Sequence, residues 1–184
     1  MKTIKLLFSM LAVAAISTGA FAQEKTVMVG GAAMYPSKNI VENAVNSKDH
    51  TTLVAAVKAA SLVETLSSAG PFTVFAPTNK AFDKLPAGTV ETLVKPESKA
   101  ALTGILTYHV VSGKVSAMDL MNKIKAGGGK AMLTTVAGGT LTATQKGNKI
   151  MLTDGKGGMS TVTIADVNQS NGVIHVIDTV LLPN

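Results

Sequence analysis

One thirteen-residue stretch constrains the fold more than any other part of the chain, because it joins a strand, a proline stop and a helix start. It runs from Gly70 to Phe82 and reads GPFTVFAPTNKAF. Its centre, FTVFA, alternates as a short buried strand does, and Pro77 lacks the N–H that would continue the ladder. Thr78 then stands where a hydroxyl N-cap opens a helix. The sequence therefore predicts a strand, a corner and a helical turn here.

A second dense stretch lies about a hundred residues later and reads NGVIHVIDTVLLP, from Asn171 to Pro183. We expect it to supply a strand beside the first stretch. Thr78 and Asn79 are expected to hold the backbone of the corner. The phenylalanines of the first stretch are expected to anchor it in the core.

The first residues have the pattern of a signal peptide. Lys2 and Lys5 precede an apolar run from Leu6 to Ile16, and small residues flank a cleavage point before Gln23. An apolar run this short does not make a stable membrane anchor, and no later run approaches the roughly 18 residues that a spanning helix needs. We therefore expect residues 1–22 to be removed and the mature chain to be secreted, periplasmic or exposed at the cell envelope.

Composition excludes several functional classes. The chain has no cysteine, which removes disulfides, thiolate metal sites and cysteine nucleophiles, as well as a lipid-modified terminus. All 17 basic residues are lysines, and there are two tyrosines, five phenylalanines and no tryptophan. Nucleic-acid recognition depends on arginine and on aromatic stacking. A nucleic-acid partner is therefore not expected, and the lysines are expected to solvate the surface.

The pattern of the mature chain predicts an α+β domain, with helices clustered first and antiparallel strands later. We expect an extended lead over residues 23–38, then one domain over residues 39–184. Asn39 and either Thr51 or Thr52 are predicted to cap the first two helices. A strand is predicted from Tyr108 to Val111. Further strands are predicted over Ala131–Val136, Thr140–Gln145, Lys149–Leu152, Thr161–Val167 and Val173–Ile177.

Three ordered motifs resemble those of fasciclin (FAS1) domains. Phe72–Phe82 resembles the first box of that family, Asn171–Asp178 the second, and Tyr108-His109 the tyrosine-histidine motif between them. The resemblance implies a FAS1-like β-sandwich wedge of mostly antiparallel strands with a helical layer. It also implies a non-enzymatic adhesion module. The structural motif residues would be Phe72, Phe75, Pro77, Thr78, Asn79, Phe82, Gly172, His175 and Asp178.

The resemblance implies two partner-contact positions. Asp166-Val167 falls where animal members have an Asp-Ile pair implicated in integrin binding, with valine in place of isoleucine. Tyr108-His109 is at a motif proposed to contact receptors. The other interpretation makes Asp166 a turn carboxylate and buries Tyr108-His109 among apolar neighbours. The implied partner is a cell-surface or matrix protein or a glycan, bound by a monomer without a cofactor.

The histidines are the remaining candidates for chemistry. His109 and His175 lie in apolar surroundings, which favours buried neutral imidazoles with hydrogen-bond partners. We expect His109 to bond to the Pro77–Asn79 corner. His50 lies in a polar stretch, where an exposed side chain is equally compatible with the sequence.

Catalysis has little support, since the serine-elbow, zinc-helix and calcium-loop motifs are all absent from the sequence. The alternative to adhesion is an exported carrier of a small ligand, haem or copper, because thioethers and imidazoles suit soft metals. Methionine is ordinarily a filler of the core. The seven methionines concerned are Met28, Met34, Met118, Met121, Met132, Met151 and Met159.

Overall fold

A computed structural model describes residues 25–184. The predicted signal peptide, residues 1–22, lies outside the described residues and stays a prediction. No helix within residues 25–184 is both long and apolar enough to cross a membrane. The helices are α1 Ile40–Ala44, α2 Thr51–Ala59, α3 Val63–Ser67, α4 Asn79–Asp83, α5 Thr89–Leu93, α6 Lys99–Tyr108 and α7 Ala117–Ala126. The strands are β1 Val27–Val29, β2 Ala32–Met34, β3 Phe72–Pro77, β4 Val110–Ser112, β5 Lys130–Thr134, β6 Thr140–Lys146, β7 Lys149–Thr153, β8 Met159–Gln169 and β9 Gly172–Ile177.

One seven-stranded sheet forms the centre of the molecule, in the order β4-β3-β9-β8-β7-β6-β5. Only β3 and β9 pair in parallel, with Phe75 opposite His175, and the other pairs are antiparallel. The sheet curls until its two edge strands approach each other, where Val111 forms a bridge to Thr135. The expected α+β class is confirmed, and the expected wedge is one curled sheet.

Two hydrophobic clusters lie on opposite faces of the central strands. Every residue of β9 is buried, as is usual for a strand covered on both faces. Val74 and Ile174 face the cluster under the helices α1–α6, whereas Phe75 and Ile177 face the cluster between α7 and the inner side of β5–β8. The helical layer therefore covers one face, and the curl of the sheet around α7 covers the other.

The lead before the domain forms a hairpin. Strands β1 and β2 pair with each other, and Val29 and Met34 join the core under the helices. The Asn43 side chain in α1 accepts a hydrogen bond from the Tyr35 amide at 3.0 Å and donates one to the Tyr35 carbonyl at 2.8 Å. The hairpin is therefore attached to the helical layer.

The corner after β3 has the predicted form. Thr78 is the N-cap of α4, and its side chain accepts from the Ala81 amide at 3.3 Å. Phe82 is buried, with 7% of its surface exposed. The predicted cap of α2 is wrong, because the Asn79 side chain accepts from the Thr52 amide at 3.0 Å and supplies that cap from a distant position. Asn79 thus ties the corner to the start of α2.

The predicted start of the strand Tyr108–Val111 is also wrong. Tyr108 is the last residue of α6, His109 is its C-cap, and the strand begins only at Val110. The His109 Nδ1 contacts the Ile105 carbonyl at 2.8 Å. This bond satisfies one of the carbonyls that a helix end leaves unpaired, so the helix extends through the motif.

Candidate functional site

Tyr108 is a buried bridge between two loops. Its side chain is 1% exposed, and its hydroxyl donates to the Thr140 carbonyl at 2.8 Å and accepts from the Gly155 amide at 2.9 Å. The pKa of Tyr108 is raised, mainly because the side chain is buried. A Cβ at Gly139 would lie 2.5 Å from the tyrosine ring, so the β5–β6 turn leaves room only for glycine beside it.

His109 holds the C-terminal segment and is neutral. Its Nε2 accepts from the Leu181 amide at 2.9 Å, so its Nδ1 carries the proton and donates to the Ile105 carbonyl. Burial lowers the pKa of His109 to about 4. The expectation of a buried neutral imidazole is confirmed. The expected bond to the corner after β3 is wrong, because Leu181 lies directly against the ring and takes its remaining nitrogen.

Asp166 occupies an irregular position within β8. Its φ is 56°, a left-handed conformation, and the pairing register with β9 shifts on either side of Ile164. Its carboxylate Oδ1 accepts from the amide of Ala117, the first residue of α7, at 2.8 Å. A carboxylate at this helix end is favourable because the helix dipole is positive there. Asp166 therefore joins the strand to the start of α7 and keeps partial exposure.

His175 completes this junction from the neighbouring strand. Its Nδ1 accepts from the Asp166 amide at 3.3 Å, and its Nε2 donates to the Val115 carbonyl at 2.9 Å. Its ring stacks on Phe75 with the centroids 5.7 Å apart. Burial lowers the pKa of His175, although the Val115 carbonyl and Asp166 act in the opposite direction. A buried neutral imidazole is again confirmed.

The structure places the four predicted partner-contact residues in two separate settings. Tyr108, His109 and Val167 are 1%, 3% and 1% exposed. Asp166 alone among them is partly exposed. Tyr108 and His109 hold the β5–β6 turn and the C-terminal segment, whereas Asp166 holds α7. A partner would meet loops that these side chains position, together with the Asp166 carboxylate itself.

The second box contains a hydrogen-bonding residue that the sequence did not single out for this purpose. Asn171 is 6% exposed, and its side chain accepts from the Ile40 amide and donates to the Leu66 and Ser68 carbonyls at 2.8 to 3.0 Å. Next to it, a Cβ at Gly172 would lie 2.1 Å from the Phe72 carbonyl oxygen. The Asn-Gly pair therefore joins two helices to the sheet at a close backbone approach between β3 and β9.

Asp178 ends the second box as a local clamp. Its carboxylate accepts from the Thr161 amide at 2.8 Å and lies 4.0 Å from the Lys84 ammonium. Burial opposes ionisation, but the hydrogen bonds from Thr161, Thr179 and Ser160 and the charge of Lys84 lower the pKa of Asp178 overall. The residue ties β8 to the end of β9.

The outer face of β5–β8 carries a regular array of threonine, lysine and methionine side chains. Across these strands Met132, Thr142, Thr153 and Met159 form one row of paired positions. A second row is formed by Lys130, Thr144, Met151 and Thr161. Lys146 and Lys149 pair at the strand ends. None of the outward-facing residues of these four described strands is acidic.

The surface also corrects the expected role of methionine. Met34 is in the core, but Met28, Met118, Met132 and Met159 are 60%, 68%, 77% and 62% exposed. The expectation of core-filling methionine is therefore wrong for these four residues. They lie on β1, α7, β5 and β8, each next to a residue that is buried.

Known proteins identify the family of this fold. The sequence model of the Fasciclin domain matches residues 48–183, and the chain belongs to the fasciclin family. It is 51% identical to Protein sll1483 of Synechocystis sp. over 160 residues, 87% of this chain and 82% of that protein. It is 38% identical to the immunogenic protein MPB70 of Mycobacterium bovis, over 76% of this chain and 66% of that protein.

Two animal proteins extend this comparison. Human periostin is 33% identical over 74% of this chain, which corresponds to 15% of periostin. The solved FAS1 domain pair of the insect cell adhesion molecule fasciclin I superposes with a TM-score of 0.71, at 20% identity, over 80% of this chain and 52% of that structure. The fold is therefore that of a FAS1 domain.

Proposed function

We propose that the mature chain is an exported, non-catalytic adhesion module that binds a cell-surface or matrix protein or a glycan. Two similar proteins support this proposal, a cell adhesion molecule of insects and a cell surface glycolipoprotein of Mycobacterium bovis, MPB83, at 31% identity. The proposed location is the periplasm or the outside of the cell, and the proposed state is a monomer.

The observation that carries the proposal is the outer face of β5–β8. Its charged residues, Lys130, Lys146 and Lys149, are exposed and all positive. Threonine hydroxyls between them offer both donors and acceptors. A surface of one charge sign attracts a partner of the opposite sign and aligns it during approach. We therefore expect the natural partner to present carboxylate, sulfate or phosphate groups to this face.

Asp166 with Val167 stays the second proposed contact region, and Tyr108 and His109 stay proposed contacts through the turn and the C-terminal segment that they hold. The Asp166 carboxylate already accepts the Ala117 amide, so a partner would contact it from its exposed side. An asparagine at this position keeps an oxygen acceptor for Ala117, tolerates the positive φ, and removes only the charge. It is therefore a cleaner variant than any that truncates the buried Val167.

The test is capture of the protein by envelope and matrix fractions. The double variant Lys130→Ser, Lys149→Ser should lose most of the captured protein, and capture of the parent should fall as salt rises. The matched control is Lys80→Ser, Lys95→Ser, which removes the same charge from exposed positions of the helical side. Equal capture of both double variants would reject the sheet face. Loss of capture by Asp166→Asn alone would move the contact to the second region.

A further inference from the structure

A small apolar cavity lies between the helical layer and the central strands. Its walls include Val57 of α2, Leu66 of α3, Val74 of β3 and Ile174 of β9, and its volume is about 50 Å³, counted as room for the centres of water-sized molecules. On this measure one water needs roughly 10–15 Å³. The cavity therefore has room for about four waters, or for one ring of about six or seven non-hydrogen atoms.

One residue that lines this cavity has a buried polar atom without a hydrogen-bond partner. His50 lines the cavity and is 3% exposed, which decides the open question of its exposure in favour of burial. Its Nδ1 lies 2.8 Å from the Ser47 hydroxyl, but its Nε2 has no hydrogen bond. A contact with the Ala76 backbone raises the pKa of His50 against the larger lowering by burial, although Nε2 makes no hydrogen bond of normal geometry. Buried polar atoms of folded proteins nearly always have a partner.

The segment that carries His50 is fixed from two sides. The Lys48 amide donates to the Gly30 carbonyl at 3.1 Å, and the Asn79 side chain donates to the Lys48 carbonyl at 2.9 Å. A Cβ at Gly30 would lie 2.3 Å from the Ser47 hydroxyl oxygen. The β1–β2 hairpin therefore packs closely against Ser47, the residue that contacts the imidazole. The ring is therefore held in place before any ligand arrives, which lowers the cost of binding.

The chemistry of the wall defines the ligand. The Ser47 hydroxyl can donate to Nδ1 or accept from it, so Nε2 is a donor in one tautomer and an acceptor in the other. A hydroxyl group can pair with either form. Burial lowers the pKa of His50, which favours the neutral ring and disfavours an anionic ligand that needs an imidazolium. The remainder of the cavity is apolar and suits a ring or a short alkyl chain.

We propose that this cavity binds a small neutral molecule of about six or seven non-hydrogen atoms, apolar except for one hydroxyl group, which bonds to His50 Nε2. The proposal is independent of the adhesion surface, since the cavity lies under the helices and the lysine face lies across the sheet. Half-buried Val41 and Val54 of α1 and α2 line the outer side of the cavity and provide the route of entry.

Phenol and toluene test the proposal, because they have the same size and differ in the hydroxyl group. Titrations followed by amide chemical shifts should place both near Val57, Val74 and Ile174. Phenol should bind about five- to tenfold more tightly, the effect of one buried hydrogen bond. Equal affinities, shifts confined to other regions, or no saturable binding of either compound would overturn the proposal. This comparison uses the unaltered protein.

Two variants test separately the hydrogen bond to His50 and the volume of the cavity. His50→Phe keeps a ring without the nitrogen, and it should bind phenol and toluene equally if it folds. Ala44→Leu adds apolar atoms at a half-buried position of α1 that lines the cavity. It should weaken the binding of both compounds while leaving the His50 side chain unchanged. A preference for phenol that survives in His50→Phe would overturn the role of the imidazole.

Discussion

The free energy of unfolding should depend on pH through the titration of His109. Its pKa is 6.5 in its unperturbed state and about 4 in the folded protein, so the unfolded chain binds the proton more readily. Stability rises with pH wherever the unfolded state holds more protons. The contribution of His109 is therefore fully present above pH 6.5 and is lost as pH falls from 6.5 towards 4.

The size of the effect follows from that shift. A difference of about 2.5 pKa units corresponds to a total of about 3.4 kcal/mol. Between pH 7 and pH 5, titration of this one group should lower the free energy of unfolding by about 1.8 kcal/mol. The folded-state pKa values of His50 and His175 are also lowered, so the whole protein should lose more than this amount.

A variant isolates the contribution. His109→Gln retains an amide that can donate and accept but cannot titrate. Urea unfolding of the variant should give a lower stability than the parent at pH 7 and a smaller loss on going to pH 5, with the two losses differing by about 1.8 kcal/mol. Asp119 and Asp178 have lowered pKa values, so their contributions are lost only at more acidic pH. Identical losses in parent and variant would refute the reasoning.

Two further predictions concern buried hydrogen bonds. Asn171→Ala leaves the Ile40 amide and two carbonyls without this partner, and it should lower the free energy of unfolding by about 2–4 kcal/mol; exposed Asn168→Ala is the control, and equal effects in thermal unfolding would contradict the assignment. Tyr108→Phe loses two bonds and should cost about 1–2 kcal/mol, with the amide of Gly155 exchanging faster with solvent; unchanged exchange would contradict it.

The sequence predicts those parts of the fold whose contacts are local. The corner at Thr78 depends on a strand, a proline and a hydroxyl within a few residues, and the five later strands depend on alternation and glycine turns. Each was found within a few residues of its predicted limits. Patterns of this kind are readable because neighbours along the chain set them.

Two of the errors concern contacts between distant segments. The cap of α2 comes from Asn79, about 27 residues away, and the partner of His109 is Leu181. The Tyr108-His109 pair has strand-like neighbours, yet the helix before it continues because His109 satisfies its last turn. Met132 is exposed because successive side chains of a strand point to opposite faces of the sheet. Only the pairing of the strands fixes which of the two faces is outside.

The contacts of the candidate site residues were not predictable from the sequence, and their role in partner binding stays a prediction. The motifs drew notice to Tyr108, His109 and Asp166, and the structure assigns each to a junction between loops, helix and sheet. His50 had no motif of its own. Its burial depends on the hairpin of the lead, whose contact with residues 47–49 no local pattern announces.

The parallel pairing of β3 with β9 affects the order in which the strands of the sheet can pair during folding. Strand β3 has its register partner about a hundred residues later, and contacts of such long separation form late and slowly. Until Gly172–Ile177 arrives, the apolar strand Phe72–Pro77 has an open edge able to pair with other chains. The domain is therefore most open to edge-to-edge association before its last strand is in place.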